Sequence, residues 1–414
     1  MNRSHKYALN PLAVACGIAL LTTGQAHAGG YKIPEQSVNS TALSAAYVAN
    51  AHGADSAYFN PAAMVFNDEQ ATMEVDLSWI HLTSVSAYID NVQVDSSEQE
   101  NFLMPDFHYV GTPMGNARFG ISVTSPVGLS KRWLGPGKGT AEEFTLKAVE
   151  INPSIAYKVN DQFSIAAGAR AIISKGIVKS TATLASRDMD GEWGVDYGYN
   201  LALLYKPTDA LSLAATYRSK INLTEEGTAL LTDISSNTYN GDASVNIPAP
   251  ASINLAAAYT FNEKTTVELV LERTKWSAYQ ALDFNYPTTL PSAILIGAMD
   301  NPSIKEWKDS DTVRIGLTHQ LDSRWTLMAG FALDETPANK KRIGYELPDS
   351  DAKIYSFGAR YKYSDRLSIG GAFLYDDKDT LTFTNADGNS SFNDNDYFKD
   401  SAAYFLTVGM EYKF

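Results

Sequence analysis

The last thirteen residues, 402–414, constrain the fold of this chain more than any other segment. Every second side chain from Tyr404 to Phe414 is apolar or aromatic, whereas, apart from Phe405, the side chains between them are small or polar. A period of two is that of a β-strand with one apolar and one polar face. Such a strand ending on an aromatic residue is typical of the closing strand of a bacterial outer-membrane barrel, although a soluble β-sandwich strand would alternate in the same way.

The N-terminal segment predicts the compartment. A basic start precedes a short apolar run at 12–21, and Ala26-His27-Ala28 forms an A-x-A cleavage site, so residues 1–28 are predicted to be a cleavable secretory signal peptide, removed before Gly29. The apolar run is too short to span a bilayer as a helix. The single cysteine, Cys16, lies within this leader. A lipoprotein processing site there is disfavoured because the apolar run continues past it. The mature chain is therefore expected to fold without disulfides.

Composition and motif content exclude several function classes. The chain carries 33 Lys and Arg against 47 Asp and Glu, a balance that argues against nucleic acid as a partner. Metal-ligand spacing and phosphate loops are missing from the sequence, so we expect no cofactor and no metal. The acidic run 376–379 could bind calcium, although a solvated acidic loop is the simpler interpretation. We expect no enzyme activity, because no recognisable catalytic motif contains any of the four candidate histidines, which are His52, His81, His108 and His319.

Short turns and long polar segments alternate along the chain. Six tight polar turns fall at 113–116, 160–161, 206–209, 262–263, 322–323 and 364–365. Seven long polar segments fall near 83–100, 128–142, 184–192, 227–243, 285–302, 337–350 and 377–397. Seven hairpins give fourteen strands, with both termini on the side of the short turns. Short periplasmic turns and long extracellular loops are typical of outer-membrane barrels. We therefore predict an all-β fold, a fourteen-stranded antiparallel transmembrane β-barrel, with a soluble all-β protein as the alternative.

The alternation within strands predicts which side chains face lipid. In one strand these are Tyr355, Phe357, Ala359, Tyr361 and Tyr363, with Ser356, Gly358, Arg360 and Lys362 facing the lumen. In a second strand the predicted outward side chains are Leu211, Leu213, Ala215, Tyr217, Ile221 and Leu223. In a third, Val313, Ile315 and Leu317 face outward and Arg314 faces inward. Apolar and polar faces of this kind fit a barrel that has lipid outside and a polar interior.

Residues 29–69 lack the alternation of barrel strands. The segment 40–57 is rich in Ala, Ser and Thr, which favours short helices with close packing, and Asn60-Pro61 is a stop or turn signal. A compact, weakly charged segment at the periplasmic end of a barrel could fold inward as a plug. From composition alone, a periplasmic tail is an equally good interpretation.

Several motifs occur in one order over nearly the whole mature chain. They are Gly30-Tyr31-x-x-Pro34-Glu35-Gln36-Ser37, Asn60-Pro61-Ala62, Phe119 to Leu129, Tyr217-Arg218-Ser219, Ile247-Pro248-Ala249, Trp307-Lys308-Asp309 and Gly330 to Pro337. In these motifs the chain resembles the FadL/OmpP1 family of outer-membrane transporters for long-chain fatty acids and other hydrophobic compounds. The resemblance implies a fourteen-stranded barrel plugged by an N-terminal hatch. We therefore predict a hatch at 29–69 and a barrel at 70–414.

The resemblance also implies a mechanism of transport. A hydrophobic molecule is captured among the extracellular loops, passes to a pocket inside the barrel, and leaves sideways through an opening made by a kink in the third strand. We expect passive uptake by a monomer, with long-chain fatty acids as the first choice of cargo. Neutral aromatic or aliphatic hydrocarbons are the alternative, and a general porin or receptor is the rival class. Other expected partners are outer-membrane lipid, lipopolysaccharide and the barrel-assembly machinery.

The third strand offers residues for such a kink. Pro126 cannot donate a ladder hydrogen bond, and Gly128 relaxes the backbone two residues later. We therefore predict that Ser125, Pro126, Val127 and Gly128 form the strand kink and the lateral opening. The alternative is that Pro126 merely begins the long loop that follows.

A carboxylate cargo would need a cation in an apolar pocket, where the pairing is strong. Lys308 is the first candidate, because the resemblance matches it to a lysine of an aromatic-Lys-Asp motif and because it shares its phase with Arg314. The predicted ligand-binding set is Lys308, Arg218, Arg314, Tyr31 and Ile33, and the predicted gating residues of the hatch are Asn60, Pro61 and Ala62. For each cation the alternative is a structural salt bridge with lumenal acids.

Overall fold

The computed structural model describes residues 29–384 and 392–414, so the predicted signal peptide lies outside the described residues. Fourteen strands, which we number β1 to β14, form the barrel wall. Their bounds are β1 Thr72–Leu82, β2 Glu100–Val110, β3 Ala117–Thr124, β4 Glu143–Lys158, β5 Phe163–Thr181, β6 Gly194–Tyr205, β7 Leu211–Arg218, β8 Ser252–Phe261, β9 Thr265–Thr274, β10 Ser310–Gln320, β11 Trp325–Asp334, β12 Ala352–Lys362, β13 Leu367–Lys378 and β14 Ala402–Lys413. Each strand pairs antiparallel with its neighbours, and β1 pairs with β14, so the sheet closes on itself.

The remaining elements lie in the N-terminal segment or in the long loops, and most of them are short. The helices are Val38–Ala42, Ser56–Phe59, Pro61–Phe66, Lys138–Ala141, Trp276–Ala278, Ala293–Leu295 and Ile296–Asp300. The loop strands are Ser86–Ile89, Val92–Ser96, Leu129–Lys131, Ala185–Gly191, Ile221–Asp233, Thr238–Ala249, Ala281–Leu282, Phe284–Asn285, Ser303–Ile304, Leu381–Thr382 and Tyr397–Lys399. None of the helices in the described ranges is long and apolar enough to cross a membrane.

The predicted fourteen-stranded barrel is confirmed, and the predicted strand faces hold for most of the wall. Tyr355 is 47% exposed and Phe357 is 62% exposed, whereas Ser356 between them is 7% exposed. Two outward assignments are wrong, because Ile221 and Leu223 are fully buried in an apolar cluster. Strand β7 ends at Arg218, so these two residues belong to a separate loop strand that turns its apolar face inward.

The segment that begins at residue 29 folds inside the barrel, and apart from the partly exposed Lys32 its residues are buried as far as Ala49. Hydroxyl pairs join it to the wall, with 3.0 Å between the oxygens of Thr41 and Thr407 and 2.8 Å between those of Ser44 and Ser356. The carboxylate of Glu268 in β9 accepts backbone N–H groups from three successive hatch residues, Val48, Ala49 and Asn50, at 2.7, 2.6 and 3.2 Å. These contacts hold the segment against the inner face of the barrel wall.

Small residues let the hatch pack directly against the wall. A Cβ atom added to Gly330 in β11 would lie 2.1 Å from the carbonyl carbon of Leu43, and one added to Gly358 in β12 would lie 2.6 Å from the Cβ of Ala42. Only glycine leaves room for the hatch at these two positions. A large cluster of buried apolar side chains lies above the hatch and extends into the loops. Its members include Tyr31, Val127, Trp133, Phe144, Ile221, Leu223, Trp276, Phe284, Met299 and Trp307.

Candidate functional site

The third strand leaves the barrel wall where the sequence predicts a kink. Strand β3 ends at Thr124, and pairing with β4 resumes only at Leu129–Lys131. In between, the chain pairs with the hatch: the Ile33 N–H donates to the Pro126 carbonyl at 2.9 Å, and the Gly128 N–H donates to the Tyr31 carbonyl at 2.8 Å. The segment 125–128 therefore bends into the lumen and is not simply the start of a loop.

One hatch side chain secures the lower end of this bend. The amide of Gln36 accepts the Ser125 N–H at 2.8 Å and donates to the Ser125 carbonyl at 3.1 Å. The backbone carbonyl of Gln36 lies 2.8 Å from Nε2 of buried His108 in β2. The kink and the hatch thus form one hydrogen-bonded unit.

Tyr31 forms the upper surface of the hatch. Its hydroxyl donates to the Pro248 carbonyl at 2.6 Å. Its ring packs edge-on against Trp276 with 4.6 Å between centroids, and Tyr279 and Trp307 complete the cluster. Ile33 points away from this cluster into a separate apolar layer against β1, β2 and β11 to β14. Both predicted hatch residues are therefore buried, but they line different parts of the interior.

A cavity of about 510 Å³ lies among the extracellular loops. Its apolar lining includes Phe144, Val178, Phe284 and Met299. A smaller apolar void shares the first three of these residues and reaches deeper, to Val245 and Ile247. We call the larger space the loop cavity. Its volume falls within the range of small-molecule sites in proteins, and an apolar lining with a few polar groups is their usual composition.

Two basic side chains line the loop cavity. Lys305 is buried in an ion pair with Glu346. Arg187 lies over the ring of Phe284, with 4.5 Å from the guanidinium carbon to the centroid, and its Nη2 is 3.0 Å from the sulfur of Met299. Among the residues that the structure describes, no carboxylate forms a salt bridge with Arg187. This guanidinium is therefore available to an anionic ligand in an apolar setting.

The placement of Lys308 differs from the prediction. Its side chain is 63% exposed and forms a 2.8 Å ion pair with Glu335. The prediction assumed that the alternation of inward and outward side chains in β10 continues to Lys308. However, β10 begins at Ser310, and the Lys308 N–H donates to the Pro337 carbonyl in a neighbouring loop. Lys308 therefore does not occupy the lumenal position that strand phase implied.

Arg218 and Arg314 do lie inside the barrel, but both are already paired. Arg218 forms an ion pair with Glu150, which also holds Arg170. Arg314 lies 3.2 Å from Glu272 and donates to the hatch carbonyl of Ser44 at 3.0 Å. In this arrangement the two arginines tie wall strands to each other and to the hatch, which is the structural salt bridge that the sequence analysis left open.

Asn60, Pro61 and Ala62 form the start of the helix Pro61–Phe66. The Asn60 side chain accepts the Ala62 N–H at 3.1 Å, which caps the helix, and donates to the Val48 carbonyl at 2.9 Å. Ser164 in β5 donates its hydroxyl to the Ala62 carbonyl at 2.7 Å. The triplet thus joins two parts of the hatch to the wall and does not contact the loop cavity.

The sequence analysis missed Arg187 because it assigned 184–192 to a polar loop. The structure forms a strand there, Ala185–Gly191, whose buried face carries Ala185 and Met189 around Arg187. The alternation of Ala185, Arg187 and Met189 with Ser186, Asp188 and Asp190 was the available signal. The described residues also contain no group of three or more His, Cys, Asp or Glu side chains arranged to hold a metal ion.

Comparison with known proteins identifies the family. The model of the family "Outer membrane protein transport protein (OMPP1/FadL/TodX)" matches residues 19–414. Outer membrane protein P1 of Haemophilus influenzae is 23% identical over 86% of this chain and 87% of the relative. The long-chain fatty acid transport protein of Escherichia coli K12 is 22% identical over 90% of this chain and 93% of the relative.

Solved structures show the same fold. A FadL homologue from Pseudomonas aeruginosa superposes with a TM-score of 0.81 at 19% identity, covering 93% of this chain and 100% of the homologue. The toluene transporter TodX of Pseudomonas putida gives a TM-score of 0.69 at 16% identity, covering 93% and 99% of the two chains. With the family match spanning the barrel, the hatch and the kink, this chain belongs to the OMPP1/FadL/TodX family of outer-membrane transport proteins for hydrophobic compounds.

Proposed function

We propose that this protein takes up long-chain fatty acids passively through the outer membrane. The observation that carries the proposal is the single apolar cluster that extends from Phe284 and Met299 in the loop cavity to Tyr31 on the hatch and Val127 in the kink. An apolar molecule gains free energy wherever it replaces water against such surfaces. A continuous apolar interior therefore favours movement from the loops to the kink without any aqueous step.

Arg187 favours a cargo with a carboxylate. A guanidinium presents a planar fork of donors that matches the two oxygens of a carboxylate. Its neighbours Phe284 and Met299 are apolar, so a fatty acid would place its head group on Arg187 and its chain against them. The long-chain fatty acid transport protein named among the relatives supports this choice of cargo.

Neutral hydrocarbons are the second candidate. Below the loop cavity, the lumenal arginines Arg218 and Arg314 already have carboxylate partners, so the deeper part of the route offers little to an anion. The likeness in fold to a toluene transporter is compatible with this alternative.

We infer the transport cycle from the contacts of the hatch. The cargo enters the loop cavity, displaces the aromatic contacts of Tyr31, and shifts the hatch, which Asn60, Pro61 and Ala62 connect to the wall. Release of the hydrogen bonds between Gln36 and Ser125 then opens the wall at residues 125–128, and the cargo leaves sideways into the membrane. One barrel is the working unit. The leader 1–28 is removed on export, and the barrel-assembly machinery inserts the mature chain.

The test is uptake of radiolabelled oleate by a strain that lacks its own transporter and expresses this chain, with radiolabelled toluene in parallel. Oleate uptake above the empty-vector control is the expected result. Uptake of toluene alone would leave the route in place and assign neutral hydrocarbons as cargo. Uptake of neither, together with ion conduction by the purified protein in planar bilayers, would replace the transporter by a general porin.

A further inference from the structure

The ladder between β6 and β7 has a gap above the point where β7 ends. Below the gap, Asn200 pairs with Arg218. Above it, the loop strands that continue both chains pair again, with Gly191 opposite Gly227. Nine residues separate the two pairs on each chain, so both paired regions share one register. The wall is thus one long ladder that is interrupted in its middle.

Backbone hydrogen bonds stop at both edges of this interruption. The Ser219 N–H donates to the Tyr199 carbonyl at 2.9 Å, and the Glu192 N–H donates to the Glu226 carbonyl at 2.7 Å. Between these bonds, a side chain bridges the strands, because the Asp196 carboxylate accepts the Thr224 N–H at 2.8 Å. Within the described chain no backbone pairing joins residues 193–198 to residues 220–225. We call these two segments the ladder gap.

The gap arises because the two chains reverse which of their side chains face the barrel interior, and they do so at different heights. Below it, Leu201 and its partner Tyr217 both face the membrane. Above it, Met189 and the residue opposite it are buried. The second chain makes this reversal directly after β7, so Ile221 faces the interior and is 2% exposed. At the same height on the first chain, Tyr197 still faces outward and is 76% exposed. Opposed residues of an antiparallel ladder must point to the same face, and here they do not.

The ladder gap lies at the depth of the membrane. Strand β6 rises from the periplasmic turn after Tyr205. Val195 and Tyr199 lie ten and six residues above Tyr205, or about 23 and 14 Å up for a rise of about 3.3 Å per residue and a tilt of about 45°. The apolar band of such barrels is about 25 Å tall. The gap therefore faces the outer part of the hydrocarbon layer.

An interrupted ladder at this depth is costly, because lipid offers no hydrogen bonds to unpaired backbone groups. Two small voids lie on the interior side, one at each edge of the gap. A void of about 50 Å³ against the hatch is lined by Asn200, Leu201 and Arg218 at the lower edge. The small apolar void below the loop cavity is lined by Gly191 and Gly227 at the upper edge. A structural weakness in the wall thus has interior space at both of its ends.

We propose that the ladder gap is a second lateral portal, through which neutral apolar molecules pass between the barrel interior and the membrane, in parallel with the kink of β3. The inference rests on the proposed function for the existence of transport but concerns a different part of the wall. The Asp196 side chain and the Ser219 hydroxyl, rather than a ladder, hold the backbone of the second segment to β6. Opening therefore moves Ile221 and Leu223 away from β6 together with Thr238–Ala249, the loop strand to which they are paired.

Charge selects the class of molecule that the portal admits. Glu225 is buried at the upper edge, where it accepts the Ser174 hydroxyl at 2.7 Å, and Glu192, Glu226 and Asp196 lie around the gap. A fatty-acid anion would meet Asp196, Glu192 and Glu226 at close range. Lys220 is the single basic side chain of the two gap segments, so negative charge outweighs positive charge there and repels the anion. Neutral hydrocarbons meet no such barrier. The portal therefore fits neutral cargo, whereas the kink serves both classes.

A reversible disulfide tests the portal in a mature chain that has no cysteine of its own. A Cβ atom built on Gly198 would lie 2.7 Å from Cγ1 of Ile221, close to the separation of about 3 Å between a Cβ and the distal sulfur of a disulfide. The variant is therefore Gly198→Cys with Ile221→Cys. Its matched control, Ala202→Cys with Thr216→Cys, joins directly opposed residues in the closed part of the same ladder.

A third variant closes the kink. Lys32 and Val127 are bridge partners between the hatch and the kinked segment, so Lys32→Cys with Val127→Cys ties the two together. Cells that express each variant are assayed for toluene and oleate uptake before and after oxidation, and again after reduction, which compares the same folded protein in two states.

Oxidation of the gap variant is expected to remove part of the toluene uptake and none of the oleate uptake, with recovery on reduction. Combination with the kink disulfide is expected to abolish toluene uptake. The proposal is overturned if the oxidised gap variant transports toluene at its reduced rate, if oleate falls equally, or if the control pair has the same effect. Absence of uptake in the unmodified protein would instead refute the proposed function.

Discussion

Replacing Arg187 with methionine tests how the loop cavity recognises its cargo. The substitution removes the cation that lies over Phe284 and keeps a long apolar side chain, so the cavity of about 510 Å³ retains its shape and its lining. No described carboxylate forms a salt bridge with Arg187, so the change leaves no buried acid without a partner. Any effect on an anionic ligand therefore reports a lost contact with that ligand.

The expected magnitude follows from the chemistry of the contact. A hydrogen bond to a charged group contributes about 1.5–3 kcal/mol, which corresponds to about a 10- to 150-fold change in a dissociation constant. The loop cavity adjoins solvent-exposed loop residues such as Leu184, and partial exposure screens charges, so we expect the lower end, about tenfold weaker oleate binding. Methyl oleate has the same chain and no charge, so its affinity should not change.

The assay is equilibrium displacement of a fluorescent fatty acid from purified protein by oleate and by methyl oleate. Lys308→Met is the matched control, because Lys308 is an exposed cation already paired with Glu335, and it should bind both ligands as the unmodified protein does. Unchanged oleate affinity in Arg187→Met would refute the assignment of the head group. Equal loss of both ligands would show that the arginine supports the cavity wall and does not bind the carboxylate.

Three further substitutions test how the hatch is held. Gly330→Ala would place a Cβ 2.1 Å from the backbone of Leu43 and should destabilise the plug by about 1–3 kcal/mol, measured as faster proteolysis of the hatch within a folded barrel. In the control variant Gly371→Ala the new Cβ would meet its nearest atom at 3.8 Å, so proteolysis should not change. Equal sensitivity of the two variants would contradict the packing argument. Glu268→Gln weakens the acceptor of three hatch N–H groups and should reduce the stability of the docked hatch by about 1.5–3 kcal/mol. The expected result is faster hydrogen exchange at those three amides. Unchanged exchange would show that this contact does not anchor the hatch. Asn60→Ala removes a helix cap worth about 1 kcal/mol and should alter the rate of oleate uptake without unfolding the barrel, so an unchanged rate in a folded variant would argue against a gating role.

The strand count was predictable because the signal for it is local. Each periplasmic turn is short and polar, and each transmembrane strand alternates with a period of two, so the order of turns and loops fixes fourteen strands without knowledge of any contact. The kink was predictable for a similar reason. Pro126 cannot donate a ladder hydrogen bond, and β3 ends at Thr124, two residues before it.

The basic side chains show which positions the local sequence pattern does not predict. Arg218 and Arg314 are lumenal as their phase predicts, because both lie within regular strands. Lys308 lies above the start of β10, where the alternation no longer reports direction, and its side chain points to solvent. Arg187 lies in a segment assigned to a loop, and only the packing of Phe284 and Met299 around it makes it a candidate for ligand binding.

The sequence by itself determined the outer-membrane class of the fold, the number of strands and the closure of the barrel, and it predicted a kink at 125–128. Only the tertiary structure decided which apolar faces meet lipid and which meet protein. Ile221 and Leu223 continue the outward phase of β7 in the sequence, yet both are buried after the chain turns over. The physical reason is that lipid tails are as apolar as a protein core, so an alternating pattern reveals two faces but not the side on which each lies.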